Sequence, residues 1–184
     1  MEAPPTYDHR SDEALVAAAN GGDSSAFEAI YYRYKDWVVG LAYRLTGDQD
    51  DALDVLQDTF RYLLKKSPGF QLSAKMTTFL YPVVQHLSIR IRRKRRRHVS
   101  DHEIVQQVAR RPSEDHGSRE ELAAALAALP EGQTEVLLMR FVDQMTLGEI
   151  GEALDIPLGT VKSRLHNALK TLRDDERTRK YFQI

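Results

Sequence analysis

Apolar residues recur at steps of three and four along almost the whole chain. Hardly any segment shows the strict alternation that a half-buried strand needs, so the fold expected is built from helices. Phe27, Ile30, Tyr31, Tyr34, Val38, Leu41, Ala42 and Leu45 make one such stripe. Helices are predicted over residues 12–20 and 24–45, separated by "NGGD". "TGDQD" supplies the next turn, with Asp48 placed to cap a helix over 49–66. In that helix Ala52, Leu53, Leu56, Phe60, Leu63 and Leu64 share a face, and Asp51, Asp54, Asp58, Arg61 and Lys65 lie mostly on the other.

"SPGFQLSAKMTT" reads as a loop whose terminal threonines, Thr77 and Thr78, can cap a following helix over about 78–97. Pro82 fits that helix only near its first turn and kinks it if deeper. Leu80, Val83, Val84, Leu87 and Ile91 keep helical spacing into "RIRRKRRR", where seven of the eight residues 90–97 are basic. The basic run is therefore expected to be the end of an amphipathic helix rather than a free tail. Residues 98–118 read as a linker with one short helix at "EIVQQVAR", and a second helical domain begins near Arg119 with "EELAAALAAL" and "GQTEVLLMRFV". The fold class expected is all-α: two small helical domains joined by a flexible linker, the second containing a helix-turn-helix. The domains are 12–97 and 119–175, with a disordered N-terminus over 1–11 and a C-terminal tail over 176–184.

The formal charge of −1 conceals three blocks. Residues 1–60 carry 4 basic and 12 acidic side chains, residues 61–98 carry 11 basic and none acidic, and residues 99–184 carry 11 basic and 15 acidic. Blocks of this kind are expected to face partners of opposite sign. The absence of cysteine excludes disulfides, thiolate zinc sites and thiol redox sensing. No apolar run approaches a membrane span, and a soluble cytoplasmic protein is expected.

Residues 146–173 carry the sharpest local pattern. Thr146 and Glu149 fit a capping box, Leu147, Ile150 and Leu154 form a short stripe, and Asp155 stands where a turn needs a residue tolerant of positive φ. Ile156 plugs that turn and Pro157 starts a new segment. A second helix from Gly159 then sets Val161, Leu165, Ala168, Leu169 and Leu172 inward, a helix-turn-helix. Thr160, Lys162, Ser163, His166, Asn167 and Lys170 point away from the stripe, with Arg164 on the flank, and no acidic residue occurs from 156 to 173. Small and amide groups ringed by cations suit base edges and phosphates in a major groove. A plain αα-hairpin with a solvated basic face fits the same residues.

The basic block interleaves Phe70, Gln71, Lys75, Phe79, Tyr81, Gln85 and His86, a mixture suited to single-stranded or melted nucleic acid. Phe79 and Tyr81 fit a hydrophobic core equally well. No catalytic constellation competes: there is no Gly-rich phosphate loop or nucleophile elbow. His98 and His102 form a helically spaced pair without a third ligand, so neither metal nor cofactor is expected.

"AFEAIYYRY", "GDQDDALDVLQDTF" and "FLYPVVQHL…RRKRRR", followed by "LPEGQTEVLLMRFVDQMTLGEIGEALDIPLGTVKSRLHNALKTLR", resemble the two domains of the extracytoplasmic-function (ECF, group IV) sigma factors of bacteria. "GTVKSRLHNAL" is the most specific stretch, and the resemblance covers nearly all of residues 12–174. It implies a transcription initiation factor, not an enzyme, that binds core RNA polymerase and promoter DNA and is restrained by an anti-sigma factor or equivalent regulator. By position, Asp51, Asp54, Gln57 and Asp58 would dock on the clamp helices of the largest polymerase subunit. The segment 66–97 would open and read the −10 element, with Gln71, Lys75, Phe79, Gln85, His86, Arg90, Arg93, Lys94 and Arg97 on DNA. Thr160, Lys162, Ser163, Arg164, His166, Asn167 and Lys170 would meet the −35 element. Departures from the family's common pattern fall at Phe79, Pro82, His86, Arg90, Gly151, Asp155 and Asn167. A stand-alone helix-turn-helix regulator is the alternative, and an RNA-binding or chromatin-like protein driven by the basic run a third class.

Overall fold

The computed structural model describes residues 8–98 and 116–181, with the side chains of 96–98, 116–120 and 181 outside that description. The chain divides into two compact units, 1–109 and 110–184. Among the described residues every regular element is helical, as the apolar spacing requires. The first unit holds α1 (Asp12–Asn20), α2 (Ser24–Thr46), α3 (Gln49–Lys66) and α4 (Met76–His98). The second holds α5 (His116–Ala127), α6 (Glu131–Phe141), α7 (Leu147–Leu154) and α8 (Leu158–Asp174), then a 3-10 turn at Arg179–Tyr181. The expected helix at 103–110 lies outside the described residues.

Side-chain caps set the starts of the first three helices. Ser11, Asp23 and Asp48 accept from the backbone N–H groups of Ala14, Ala26 and both Asp50 and Asp51. Gly47 closes α2 in the left-handed conformation at φ 76°, which a residue with a Cβ adopts reluctantly. Residues 8–11 are tied to the unit rather than loose: Arg10 pairs with Asp8 (2.7 Å) and Asp23 (3.1 Å), and Arg33 donates to the carbonyls of Asp8 and Arg10.

α2, α3 and α4 pack against one another around Ile30, Val38, Leu41, Val55, Phe60, Leu80 and Val84. Two expectations for α3 are corrected here. Leu53 and Leu64, assigned to the core face, are 41% and 55% exposed, whereas Thr59 is fully buried. The buried arc is centred on Ala52, Val55, Leu56, Thr59, Phe60 and Leu63 because α2 and α4 converge on it, and the two leucines fall past its edge. The Thr59 hydroxyl finds no hydrogen-bond partner. Replacing it with the similarly shaped valine removes that unsatisfied group, so Thr59→Val is expected to stabilise the unit by about 1 kcal/mol. Chemical denaturation checks this as a higher midpoint at unchanged slope.

α4 begins at Met76, so Thr77 and Thr78 are helical and do not cap it; the Lys75 carbonyl accepts the first bond, from the Phe79 N–H at 3.1 Å. Met76 is fully buried, and seating it in the core draws the helix start two residues back. Pro82 therefore falls in the second turn, with its ring exposed, and the helix continues through it to His98. Leu80, Tyr81, Val84, Leu87 and Ser88 are buried, which places Tyr81 in the core and not on a nucleic-acid surface.

In the second unit Ala125, Leu129, Leu137, Ala168 and Leu172 form a core that Leu126, Leu165 and Leu169 extend. The helix start at His116 precedes the expected Arg119. Thr146 and Glu149 form the expected capping box, and Asp155 closes α7 at φ 52°. A Cβ on Gly151 would lie 3.0 Å from the Ile156 carbonyl oxygen, so this glycine lets the turn fold back onto α7. Past α8 the chain stays on the unit: Thr178 is buried with its hydroxyl donating to the Leu172 carbonyl, and Lys180 pairs with Glu121 at 2.6 Å.

Candidate nucleic-acid interface

Val161, Ala168 and Leu172 anchor α8, and this fixes what the helix turns outward. Lys162, Ser163, His166, Asn167 and Lys170 are exposed and Thr160 is half-buried at the N-terminal end. The Ser163 hydroxyl donates back to the Thr160 carbonyl at 3.0 Å. Arg164 is half-buried. Its guanidinium lies across Gly132 at the start of α6, where a Cβ would stand 3.1 Å from Nη1. It is thus braced at one edge of an outward face that carries no acidic residue. Such a face can offer hydrogen-bond donors to base edges and charge to phosphates.

The second surface is the loop 67–75 with α4. Phe79 is half-buried and packs against Phe70 (centroids 4.5 Å) and Tyr62 (6.4 Å). Lys66 Nζ sits 5.5, 5.9 and 5.8 Å from the rings of Tyr62, Phe70 and Phe79, a cation held over three aromatic groups. Tyr62 and Lys66 were not singled out from sequence. Both precede the loop on α3, and no local spacing announces their contact with Phe79. Gln71 and Lys75 are exposed on the loop. On α4, Gln85 is half-buried, while His86, Arg90, Arg93 and Lys94 are exposed; the Arg97 side chain lies outside the described residues.

The four acidic-face candidates on α3 divide into two pairs. Asp54 and Gln57 are exposed beside Leu53, Arg61 and Leu64. Asp51 and Asp58 lie on the other flank, half-buried against α4. Arg90 reaches Asp58 at 2.5 Å, and Arg95 reaches Asp51 at 3.1 Å and Asp48 at 2.9 Å. Asp48 is held below the usual carboxylate range, first by the backbone N–H of Asp51 and then by the Arg95 guanidinium. Part of the basic run thus lies against the acidic helix of its own unit. Each such exposed pair is worth no more than about 1 kcal/mol, so a stronger partner can displace it.

Among the described residues no group of His, Asp or Glu side chains is placed to hold a metal ion, and no helix is long and apolar enough to cross a membrane. The His98 side chain and His102 lie outside them.

Two family models match: Sigma-70 region 2 over residues 30–98 and Sigma-70, region 4 over residues 125–174. The ECF RNA polymerase sigma factor SigW of Bacillus subtilis is 33% identical over 167 residues, covering 83% of this chain and 89% of its own. The ECF RNA polymerase sigma factor SigE of Mycolicibacterium smegmatis is 31% identical over 165 residues, covering 83% and 63%. Among solved structures, CnrH in complex with the cytosolic domain of CnrY superposes with a TM-score of 0.64 at 21% identity, over 87% of this chain and 93% of that one. RpoE from Bartonella quintana, in complex with the anti-sigma factor NepR, gives 0.64 at 23% identity, over 80% and 94%. These last two share the fold. With both sigma regions matched in order, and relatives above 30% identity along most of its length, the chain belongs to the ECF RNA polymerase sigma factors, transcription factors that direct RNA polymerase to promoters and not enzymes.

Proposed function

We propose that this chain is an alternative sigma factor of the group IV class that works by binding alone, in the bacterial cytoplasm. The first unit docks on the clamp helices of the largest polymerase subunit and holds the −10 element, and the second holds the −35 element. The observation that carries this reading is the outward face of α8. Lys162, Ser163, His166, Asn167 and Lys170 are presented together by a capped helix-turn-helix, with no carboxylate among them.

On α3 the docking face is Asp54 and Gln57 flanked by Leu53 and Leu64. Two exposed leucines beside polar anchors suit a partner helix better than water. Asp51 and Asp58 support the same face from the flank that Arg95 and Arg90 occupy. On the DNA side, Gln71, Lys75, Phe79, Gln85 and His86 line the −10 surface, and Arg90, Arg93, Lys94 and Arg97 hold phosphates. An anti-sigma factor or equivalent regulator restrains the protein, a proposal prompted by the similarly folded RpoE captured with the anti-sigma factor NepR.

Run-off transcription from genomic DNA with purified core polymerase tests the reading: discrete start sites preceded by two spaced elements are expected only when both proteins are present. Tight binding to duplex sites with indifference to core polymerase would instead indicate a stand-alone regulator. Within the −35 contact, Arg164→Ala is expected to weaken binding to all sequences alike and to lower the salt slope by about one. Asn167→Ala is expected to change preference at individual positions, which a base-substituted promoter series reads directly.

A further inference from the structure

One stripe of α4 is covered by neither neighbouring helix. At 3.6 residues per turn, Pro82, His86, Ile89 and Arg93 fall within about 60° of one another, and all four are exposed. The flanks of this stripe are committed inward: Arg90 turns to Asp58 on one side, and Arg92 reaches the Leu45 carbonyl of α2 at 3.4 Å on the other. Arg93 forms no ion pair among the described residues. Ile89 is 43% exposed and is the one exposed large hydrophobic side chain of α4 among the described residues.

A lone exposed isoleucine is ordinary on a protein surface. Here the surroundings give it a meaning. No acidic residue occurs from 61 to 98, so the stripe is charge-complementary to a polyanion. Arg93, one turn beyond Ile89, supplies phosphate attraction, and Gln85 and His86, one turn before it, carry groups able to bond base edges. Isoleucine can donate and accept nothing. Within a major groove the apolar group it can recognise is the C5-methyl of thymine.

We propose that Ile89 is a specificity-determining residue that packs against a thymine methyl in the duplex at the upstream edge of the −10 element. The upstream edge follows from chain order, since Ile89 lies toward the end of α4 from which the chain continues to α8, the helix assigned above to the −35 element. This rests on the reading of α4 as the −10 helix.

The probe is deoxyuridine, which differs from thymidine by that methyl alone. Each thymine of a mapped promoter is replaced singly, through the −10 element and the duplex just upstream, and open-complex formation is measured with core polymerase and the full chain. For the unsubstituted protein, uridine at one or two upstream positions is expected to lower open-complex formation about fourfold, the factor corresponding to loss of one buried methyl. Ile89→Ala is expected to lose that discrimination while retaining core polymerase affinity and thermal midpoint. Arg93→Ala should weaken every template equally and keep the uridine penalty. Uridine insensitivity at every upstream position, or a penalty that survives in Ile89→Ala, overturns the assignment. Weakened polymerase capture by Ile89→Ala also overturns it, in favour of a protein contact. If no template supports core-dependent transcription, the sigma-factor reading itself fails, an outcome separate from these.

Discussion

Asp54→Arg is expected to lower affinity for core RNA polymerase by about two orders of magnitude, because reversing a charge inside a docked interface costs several kcal/mol. Asp54 suits this test better than its acidic neighbours. It is exposed and has no ion pair among the described residues, so reversal leaves the fold of the free protein untouched. Asp58→Arg is less clean, since it would set a new cation against both Arg61 and Arg90. Polymerase capture with labelled protein, alongside circular dichroism to show that the helices persist, measures the effect. Capture at undiminished affinity would remove this face from the docking surface. Leu64→Ala is expected to act in the same direction more weakly, through lost apolar contact alone.

Ile150→Ala is expected to destabilise the second unit by about 3 kcal/mol, the usual range for deleting a fully buried aliphatic side chain. Ile150 is fully buried in α7, the helix that leads into the turn before α8. A unit of this size has little stability to spare, and such a loss lowers the midpoint of a small domain by roughly 15 °C. Transcription that depends on the −35 element should then fail near physiological temperature, while polymerase capture through α3 persists. Hydrogen exchange resolves the two cases, with protection falling in α6–α8 and holding in α2–α4. Simultaneous loss of protection in both units would contradict the assignment of separate tasks to them.

Much of both surfaces was legible in advance because the interactions that specify them are local. The capping box of Thr146 and Glu149, the N-cap at Asp48 and the left-handed Asp155 each depend on residues within one helical turn. Once α7 and α8 are placed by those signals, the outward set on α8 follows from helical geometry. Helical geometry sets Arg164 on the flank, and it is braced on Gly132, but that partner lies on α6 and no spacing in the sequence links the two. The same limit applies to Phe79, whose surroundings include Tyr62 and Lys66 from the helix before the loop.

What the sequence determined by itself is therefore the helical content, the capped helix-turn-helix and the segregation of charge, since periodicity, capping and charge are written in near neighbours. What only the tertiary structure decided is how wide each buried arc is and which charges meet. The convergence of α2 and α4 on α3 buries Thr59 and turns Leu53 and Leu64 out beside Asp54, although hydropathy assigns all three the other way. The packing of α4 on α3 brings Arg90 to Asp58 and Arg95 to Asp51 across more than thirty residues of chain, and it leaves the Ile89 stripe bare. An amphipathic helix specifies a direction for its apolar side, whereas the edges of that side are set by the shapes of the helices packed against it.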